Sequence, residues 1–289
     1  MAIVGIVGLG NMGRGMALTL RRKGHRVIGT DADPSTREAL AAEGIETTAR
    51  LSDLTEIAEV VVLSLPTADV VEAVVSGRGG ILDHPRAGLV VVDTTSSHPE
   101  TSRSVAARLA EAGMDFVDAP VSGGPKGAAT GTMTMVLGGD DAVIARVEPI
   151  LADMSAKRVH IGPVGAGHVC KIVNNLLCAA HLLTGAEAMR IARAAGVEPE
   201  RLLEGLNAGS GRSGVTLVNF PTWILNGAFD SGFTMKLMRK DVRLAAQLID
   251  ELGLDLPIAA EAARLWAESA ATIGDAEDFN RIVDLRPSR

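Results

Sequence analysis

Ala2-Ile-Val-Gly-Ile-Val7 runs straight into Gly8-Leu-Gly-Asn-Met-Gly13, and this opening decides the fold of the first half of the chain. The apolar run reads as a buried strand. Helical periodicity follows from about Met12 to Arg22, Gly24 stops it, and Arg26–Thr30 forms a second strand ending at Asp31. The order is strand, Gly-x-Gly-x-x-Gly, helix, strand, acid. Gly8, Gly10 and Gly13 permit a tight turn and a close approach of backbone to a pyrophosphate on the helix N-terminus. Asp31 stands 18 residues past Gly13, close to the spacing of a carboxylate that bonds a ribose hydroxyl. A lone glycine motif can be only a tight turn. In this full context it predicts dinucleotide binding through Gly8, Gly10, Asn11, Met12, Gly13 and Asp31.

The alternation continues outward from there. Val60–Leu65 is a continuous apolar run, as a strand covered on both faces should be, and ends in Pro66-Thr67. Leu89–Val92 ends in Asp93-Thr-Thr-Ser96, and Met114–Val117 precedes Asp118-Ala-Pro-Val-Ser-Gly-Gly124. In an open α/β sheet the ligand lies beyond the carboxyl ends of the strands. Hydroxyls and glycines recur at those ends, although each loop taken singly reads equally well as turn chemistry. Met133–Leu137 alternates and predicts an added strand. A helix over about Ala142–Met154 and a strand over Arg158–Ile161 complete the sheet domain. A boundary near Gly162-Pro163 divides the chain into residues 1–162 and 163–289.

At Gly165-Ala-Gly-His-Val-Cys-Lys-Ile-Val-Asn-Asn175 the chain changes character, and strand signals give way to long amphipathic helices. A helix is expected from about Val169 to Ala195, where Gly196 stops it. On it, His168, Lys171 and Asn175 share one face. A lysine and a carboxamide one turn apart suit proton transfer to and from a substrate oxygen. From this stretch alone, a solvated lysine on an interdomain helix is the plainer reading. His168 stands as the alternative proton donor. Further on, Phe233–Ala245 leads into a helix carrying Lys236, Lys240 and Asp241, for which a solvated face is the default. Gly209-Ser-Gly-Arg-Ser213 offers Arg212 to a second acidic group, or is only a connecting turn. The tail after Gly274, with Arg281, Arg286 and Arg289, is expected to be partly disordered.

Totals and absences narrow the chemistry. With 289 residues, 47% apolar and 22% charged, the chain can bury two ordinary globular cores. A net charge of −7 with few aromatics argues against nucleic-acid binding. No residue run approaches the roughly 20 apolar positions of a membrane span, and no signal peptide is read at the N-terminus. Cys170 and Cys178 lie about 12 Å apart along one predicted helix, too far for a disulfide. A cytoplasmic setting is expected. There is no tyrosine, which excludes a Tyr-Lys proton donor, and the six histidines and two cysteines show no metal-ligand spacing. No Gly-x-Ser-x-Gly elbow occurs.

Taken together these motifs resemble the β-hydroxyacid dehydrogenase family, which includes 3-hydroxyisobutyrate dehydrogenase and tartronate semialdehyde reductase. The resemblance rests on Gly8–Gly13, Leu65-Pro66-Thr67, Asp93–Ser96, Asp118–Gly124, Gly131-Thr132, Gly165–Asn175 and Phe233–Ala245 in that order. It implies an NAD-binding Rossmann domain, doubly wound and mainly parallel, over residues 1–162. An all-α substrate and dimerisation domain built around a long interdomain helix then spans 163–289. It also implies NAD(P)-dependent oxidation of a 3-hydroxy acid, or the reverse reduction of its semialdehyde. Carried over by position, Lys171 is the catalytic lysine and Asn175 the substrate-orienting asparagine. Ser122, Gly123 and Gly124 hold the substrate carboxylate. Thr95 or Ser96 faces the nicotinamide, with Thr95 on the substrate side and Ser96 on the cofactor side. Leu65, Pro66 and Thr67 line the cofactor, and Phe233 and Lys240 close over it. A homodimer or homotetramer is expected. Two departures stand out: Thr95-Ser96-Ser97 replaces the family's Ser-Thr-Ile, and Asp278-Phe-Asn280 stands near where an Asp-x-Ser ending belongs.

The cofactor is expected to be NAD, because Asp31 is followed by Ala32 and Asp33, with no arginine to receive a 2′-phosphate. Three competing readings are weaker. A decarboxylating enzyme similar to 6-phosphogluconate dehydrogenase needs a denser basic cluster for its substrate phosphate. Imine reductases usually lack the lysine. A non-catalytic nucleotide-binding scaffold has no need of the Lys171/Asn175 pair.

Overall fold

The computed structural model describes residues 1–285. Two compact units, Met1–Lys171 and Ile172 onward, divide inside one long helix.

The first unit holds β1 (Ile3–Val7), β2 (Arg26–Thr30), β3 (Glu46–Thr47), β4 (Val60–Leu63), β5 (Val90–Asp93), β6 (Asp115–Asp118), β7 (Val121–Ser122), β8 (Met133–Gly138) and β9 (Ser155–Gly162). Between them run α1 (Asn11–Arg22), α2 (Pro34–Ala42), α3 (Leu51–Thr55), α4 (Ala68–Ser76), α5 (Pro99–Glu111), α6 (Gly124–Thr130) and α7 (Asp141–Met154). The sheet order is β3-β2-β1-β4-β5-β6-β8-β7, with β9 paired to β8. The first six strands are parallel, β8 is antiparallel to β6 and β7, and β9 is parallel to β8.

Strand alternation feeds two cores at once. Val4, Ile6, Val60, Val62, Val90 and Val92 pack with Met16 and Leu20 of α1 and with Val147 and Leu151 of α7. Their neighbours Val7, Val61, Leu63 and Val91 point the other way, against Val71 and Val75 of α4 and Val105 and Leu109 of α5. The unbroken valine runs are therefore what a sheet covered on both faces requires. Helix starts are fixed locally. Asp33, Thr67 and Asp140 accept from first-turn N–H groups of α2, α4 and α7, each cap contributing about 1 kcal/mol.

Helix α8 (Ala166–Ala194) crosses from one unit to the other, and α9 (Pro199–Ala208), α10 (Met235–Glu251) and α11 (Pro257–Glu268) follow. In the second unit Ala179, Leu182 and Met189 of α8 pack with Met235, Met238 and Val242 of α10 and with the fully buried Trp266 of α11. Val215–Ile224 is wound as a π-helix, uncommon at ten residues, and includes Pro221, which has no N–H to give the ladder. Among the described helices α8 is long and apolar enough to cross a membrane, with a mean hydropathy of 1.3. The residue runs did not reveal this, because His168, Lys171, Asn174 and Asn175 interrupt them. Its Ala179, Leu182 and Met189 lie in the second unit's core, while Val173, Leu177 and Ile191 are exposed.

Between Gly274 and Leu285 the tail is ordered: it winds Phe279–Asp284 into a 3-10 helix with Phe279 and Ile282 buried. Arg190 donates to the carbonyls of Val283 (3.0 Å) and Leu285 (2.6 Å). Arg286 and Arg289 lie outside the described residues.

Candidate active site

In the first unit the strand ends converge as the topology requires. β1 lies between β2 and β4, where the strand order reverses, and the crevice at such a point is the ligand position of open α/β sheets. Gly8 has φ +91°, and a Cβ there would stand 2.3 Å from the Ser64 carbonyl oxygen. A Cβ on Gly13 would stand 1.8 Å from the Gly8 carbonyl oxygen, so neither position admits a side chain. Gly10, which begins α1, has open space where its Cβ would be. The first-turn N–H groups behind it, from Asn11, Met12 and Gly13, have no intrahelical acceptor. Asp31 accepts from the Leu9 N–H (2.7 Å) and the Asp33 N–H (2.9 Å), tying the glycine loop to the end of β2. The Leu65 N–H donates to Thr95 Oγ1 (3.1 Å), tying the ends of β4 and β5. Pro66 is exposed, Thr67 caps α4, Thr95 is buried and Ser96 is half-buried.

Beyond β6 the chain turns through Ser122, Gly123 (φ +119°) and Gly124 (φ +60°). Ser122 is exposed, and its Oγ accepts from Lys171 Nζ at 3.1 Å. The structure thus brings together the lysine and the hydroxyl that the sequence singled out separately. Behind them lies a buried polar cluster. Asp118 closes β6 and accepts from the N–H groups of Gly165 (2.7 Å) and His168 (2.9 Å), capping the start of α8 from another element. Burial pushes its carboxyl up, while these backbone donors pull it down. A Cβ on Gly167 would lie 2.6 Å from the Val136 carbonyl oxygen and 2.8 Å from an Asp118 oxygen, so glycine is required there for packing. Asp93 accepts from the Thr95 N–H (2.9 Å), and burial pushes its carboxyl up as well.

His168 is 0% exposed, with Nδ1 2.7 Å from Ser102 Oγ and Nε2 2.7 Å from the Thr95 carbonyl oxygen. Both ring nitrogens are engaged within the protein, so the expectation of a reserve proton donor beside Lys171 is corrected.

In the second unit Asn175 is 6% exposed. Its Nδ2 donates to Asp241 Oδ2 at 2.5 Å, and its Oδ1 accepts from Asn174 Nδ2 at 3.0 Å. A carboxylate only accepts, which fixes the orientation of the amide. Lys240 Nζ lies 3.2 Å from Asp241 Oδ1. The solvated face expected for this cluster is therefore wrong for Asp241, which is 2% exposed, and right for Lys236, which is exposed. The Phe233 ring meets Phe279 edge-on at 5.3 Å. Arg212 is exposed in the turn before the π-helix.

Residues 3–162 match the NAD-binding domain of 6-phosphogluconate dehydrogenase. Residues 165–286 match the NAD-binding domain of NADP-dependent 3-hydroxyisobutyrate dehydrogenase. The chain is 35% identical to 2-(hydroxymethyl)glutarate dehydrogenase of Eubacterium barkeri, over 98% of its own length and 94% of the relative's. The chain belongs to the β-hydroxyacid dehydrogenase family. Other members are similar over as much of the chain. It is 33% identical to 2-hydroxy-3-oxopropionate reductase of Escherichia coli, covering 97% of this chain and 95% of that one. The solved structure of 3-hydroxyisobutyrate dehydrogenase from Mycobacterium tuberculosis with L-serine superposes with a TM-score of 0.92 at 32% identity, over 98% of each chain.

As a member of this family the protein is an oxidoreductase with an NAD(P)-binding domain. The glycine loop fits that cofactor on its own geometry, with two glycines that exclude any side chain and a third facing open space. Sequence reasoning named Asp118 and Asp241 without seeing what they hold, and passed over Ser102 and Arg37 altogether. Arg37 corrects the expectation that no arginine stands near Asp31. Its Nη1 donates to the Asp31 carbonyl oxygen (2.6 Å) and lies 3.4 Å from that of Ala32. The signal was its place in the second turn of α2, which carries it back to the end of β2.

Proposed function

We propose that this oxidoreductase interconverts a short-chain 3-hydroxy acid and its semialdehyde with NAD, Lys171 moving the hydroxyl proton. The observation that carries this reading is Lys171 Nζ held 3.1 Å from Ser122 Oγ, beside Gly123 and Gly124 at the carboxyl end of the sheet. The names of three relatives, 2-(hydroxymethyl)glutarate dehydrogenase, 2-hydroxy-3-oxopropionate reductase and 3-hydroxyisobutyrate dehydrogenase, support the substrate class. In the family's division of labour, residues 1–162 hold the cofactor. Residues 163–289 supply substrate side chains and the contacts of a homodimer or homotetramer. Cys170 and Cys178 are free thiols, which suits a cytoplasmic setting.

The bound nicotinamide supplies a hydride acceptor. Every other task falls to the chain. Hydride leaves the alcohol carbon only as the hydroxyl proton departs, and Lys171 takes that proton in oxidation and returns it in reduction. Ser122 accepts one N–H of the lysine and so orients it, and the neutral amine takes up the hydroxyl proton in oxidation. Asn175 gives one amide N–H to Asp241 and offers the other to the substrate oxygen. The backbone N–H groups of Gly123 and Gly124, approachable because no Cβ covers them, orient the carboxylate together with the Ser122 hydroxyl. In this reading Leu65, Pro66, Thr67 and Ser96 line the cofactor, and Lys240 and Phe233 take the cofactor contacts that the family resemblance implies for them. Asp31 accepts ribose hydroxyls and repels a 2′-phosphate, and Arg37 turns its Nη1 to the backbone carbonyls of Asp31 and Ala32.

A panel of three- to five-carbon hydroxy acids, assayed with NAD and with NADP, tests the reading. We expect NAD reduction with a 3-hydroxy acid, and a much poorer kcat/KM for its methyl ester. An ester that reacts as well as the acid removes the carboxylate role from the glycine loop. Release of CO₂ moves the protein to the decarboxylating branch.

A further inference from the structure

We propose that His168 is a positioning residue for the reaction: its buried imidazole locks the start of α8, which carries Lys171, to the Thr94–Ser96 loop at the end of β5. The inference rests on the reading of Lys171 given above and concerns a residue that reading does not use.

The geometry is unambiguous about the ring. The Thr95 carbonyl can only accept, so Nε2 carries the proton that spans 2.7 Å to it. Nδ1 then faces Ser102 Oγ at 2.7 Å. One imidazole therefore joins three elements of the first unit: α8, the loop after β5, and α5. The lock extends at both ends. Thr95 Oγ1 accepts from the Leu65 N–H (3.1 Å), which carries the constraint to the loop after β4. Asp118 grips the His168 and Gly165 N–H groups, which holds the first turn of α8 to β6. Lys171 follows His168 by three residues, on the same side of the helix one turn on.

Burying so many polar groups at this point is costly unless each is satisfied, and an apolar side chain would fill the same space without that cost. Ser102, Asp93, Asp118 and His168 are all 2% exposed or less. Asp93 Oδ2 and Asp118 Oδ2 lie 4.0 and 3.8 Å from the ring nitrogens. What a polar lock provides and an apolar core does not is direction. It sets the separation between Thr95 and Lys171, and reacting groups displaced by about 1 Å can lose about 10²-fold in rate.

The test compares His168→Leu, His168→Gln and Ser102→Ala with wild type, using NAD and 3-hydroxyisobutyrate well below each unfolding midpoint. Amide exchange is measured in parallel on the cofactor-free protein. In His168→Leu we expect kcat to fall by about 10- to 100-fold while KM for NAD moves by less than about threefold. Exchange should quicken in the segments spanning 93–97 and 165–171 together, and nowhere in the second unit. Gln can place an amide N–H where Nε2 stands, so His168→Gln should recover kcat to within about fivefold and restore protection of the Thr95 loop. Ser102→Ala should give a smaller loss of the same pattern.

A His168→Leu protein that keeps kcat within about twofold while merely melting earlier overturns the proposal. So does a Gln variant no better than Leu, or quickened exchange in only one of the two segments. If His168→Leu does not fold, the Gln and Ser102→Ala proteins decide by the same criteria. Lys171→Ala, with His168 intact, separates the two readings: wild-type turnover there removes the lysine's role and leaves the exchange result to judge the lock.

Discussion

The carboxyl ends of β2 and β6 carry the same device with opposite outcomes. Each strand is closed by an aspartate that accepts two backbone N–H bonds: Asp31 from Leu9 and Asp33, Asp118 from Gly165 and His168. Asp31 remains half-exposed beside the open glycine loop. Asp118 is 0% exposed, sealed under the start of α8 with His168 beside it. A strand-end acid thus stays open to a ligand where solvent reaches it and becomes scaffold where a helix N-terminus lands on it, since that terminus itself attracts a negative charge. Position in the sheet is common to both, and what covers them is not.

The largest expected effect lies on the β6 side. Lys171→Ala should lower kcat by about 10²–10⁴-fold with NADH affinity, read by fluorescence titration, nearly unchanged. Lys171→Arg should be nearly as poor, because Arg does not release its proton near neutral pH. Activity above about a tenth of wild type in the Ala variant would place the proton donor elsewhere.

Next comes the comparison itself. Asp118→Ala leaves two buried N–H groups without acceptors and should cost about 2–4 kcal/mol in urea unfolding. Asp31→Ala exposes its donors to water and should cost less than about 1 kcal/mol. Equal losses at the two sites would abolish the distinction drawn between them.

On the β2 side, Asp31→Asn combined with Ala32→Arg should shift the NADP-to-NAD ratio of kcat/KM by at least about tenfold, about 1.4 kcal/mol. A wild-type enzyme that already prefers NADP would mean that Arg37, not Asp31, reads the ribose.

The smallest effect concerns Asp93, whose carboxyl burial pushes up. The folded protein then holds that proton more tightly than the unfolded chain. This contribution is fully present below the ordinary carboxylate range and is lost as pH rises toward the elevated folded value. Asp93→Asn removes it, so urea unfolding between pH 4 and 8 should show the variant gaining on wild type as pH rises. A constant difference across that range would mean that Asp93 titrates normally.

Much of this protein was written locally. The glycine loop, the strand ending at Asp31 and the valine runs of β4 and β5 follow from backbone sterics and side-chain alternation, which need only a few neighbouring residues. The lysine and asparagine on α8 were legible for the same reason, since helical period alone puts them one turn apart. Tertiary structure decided the rest. His168 and Lys171 look alike on a helical wheel, yet one is locked to Ser102 and Thr95, 66 and 73 residues away in the chain, while the other reaches Ser122. Asp241 reads as a surface charge until Asn175, 66 residues earlier, claims its carboxylate. Arg37 reaches the end of β2 only because α2 folds back on it. Charged and polar side chains carry no local mark of burial. Whether one faces solvent, substrate or another polar group depends on which distant element covers it, and that is set only when the chain has packed.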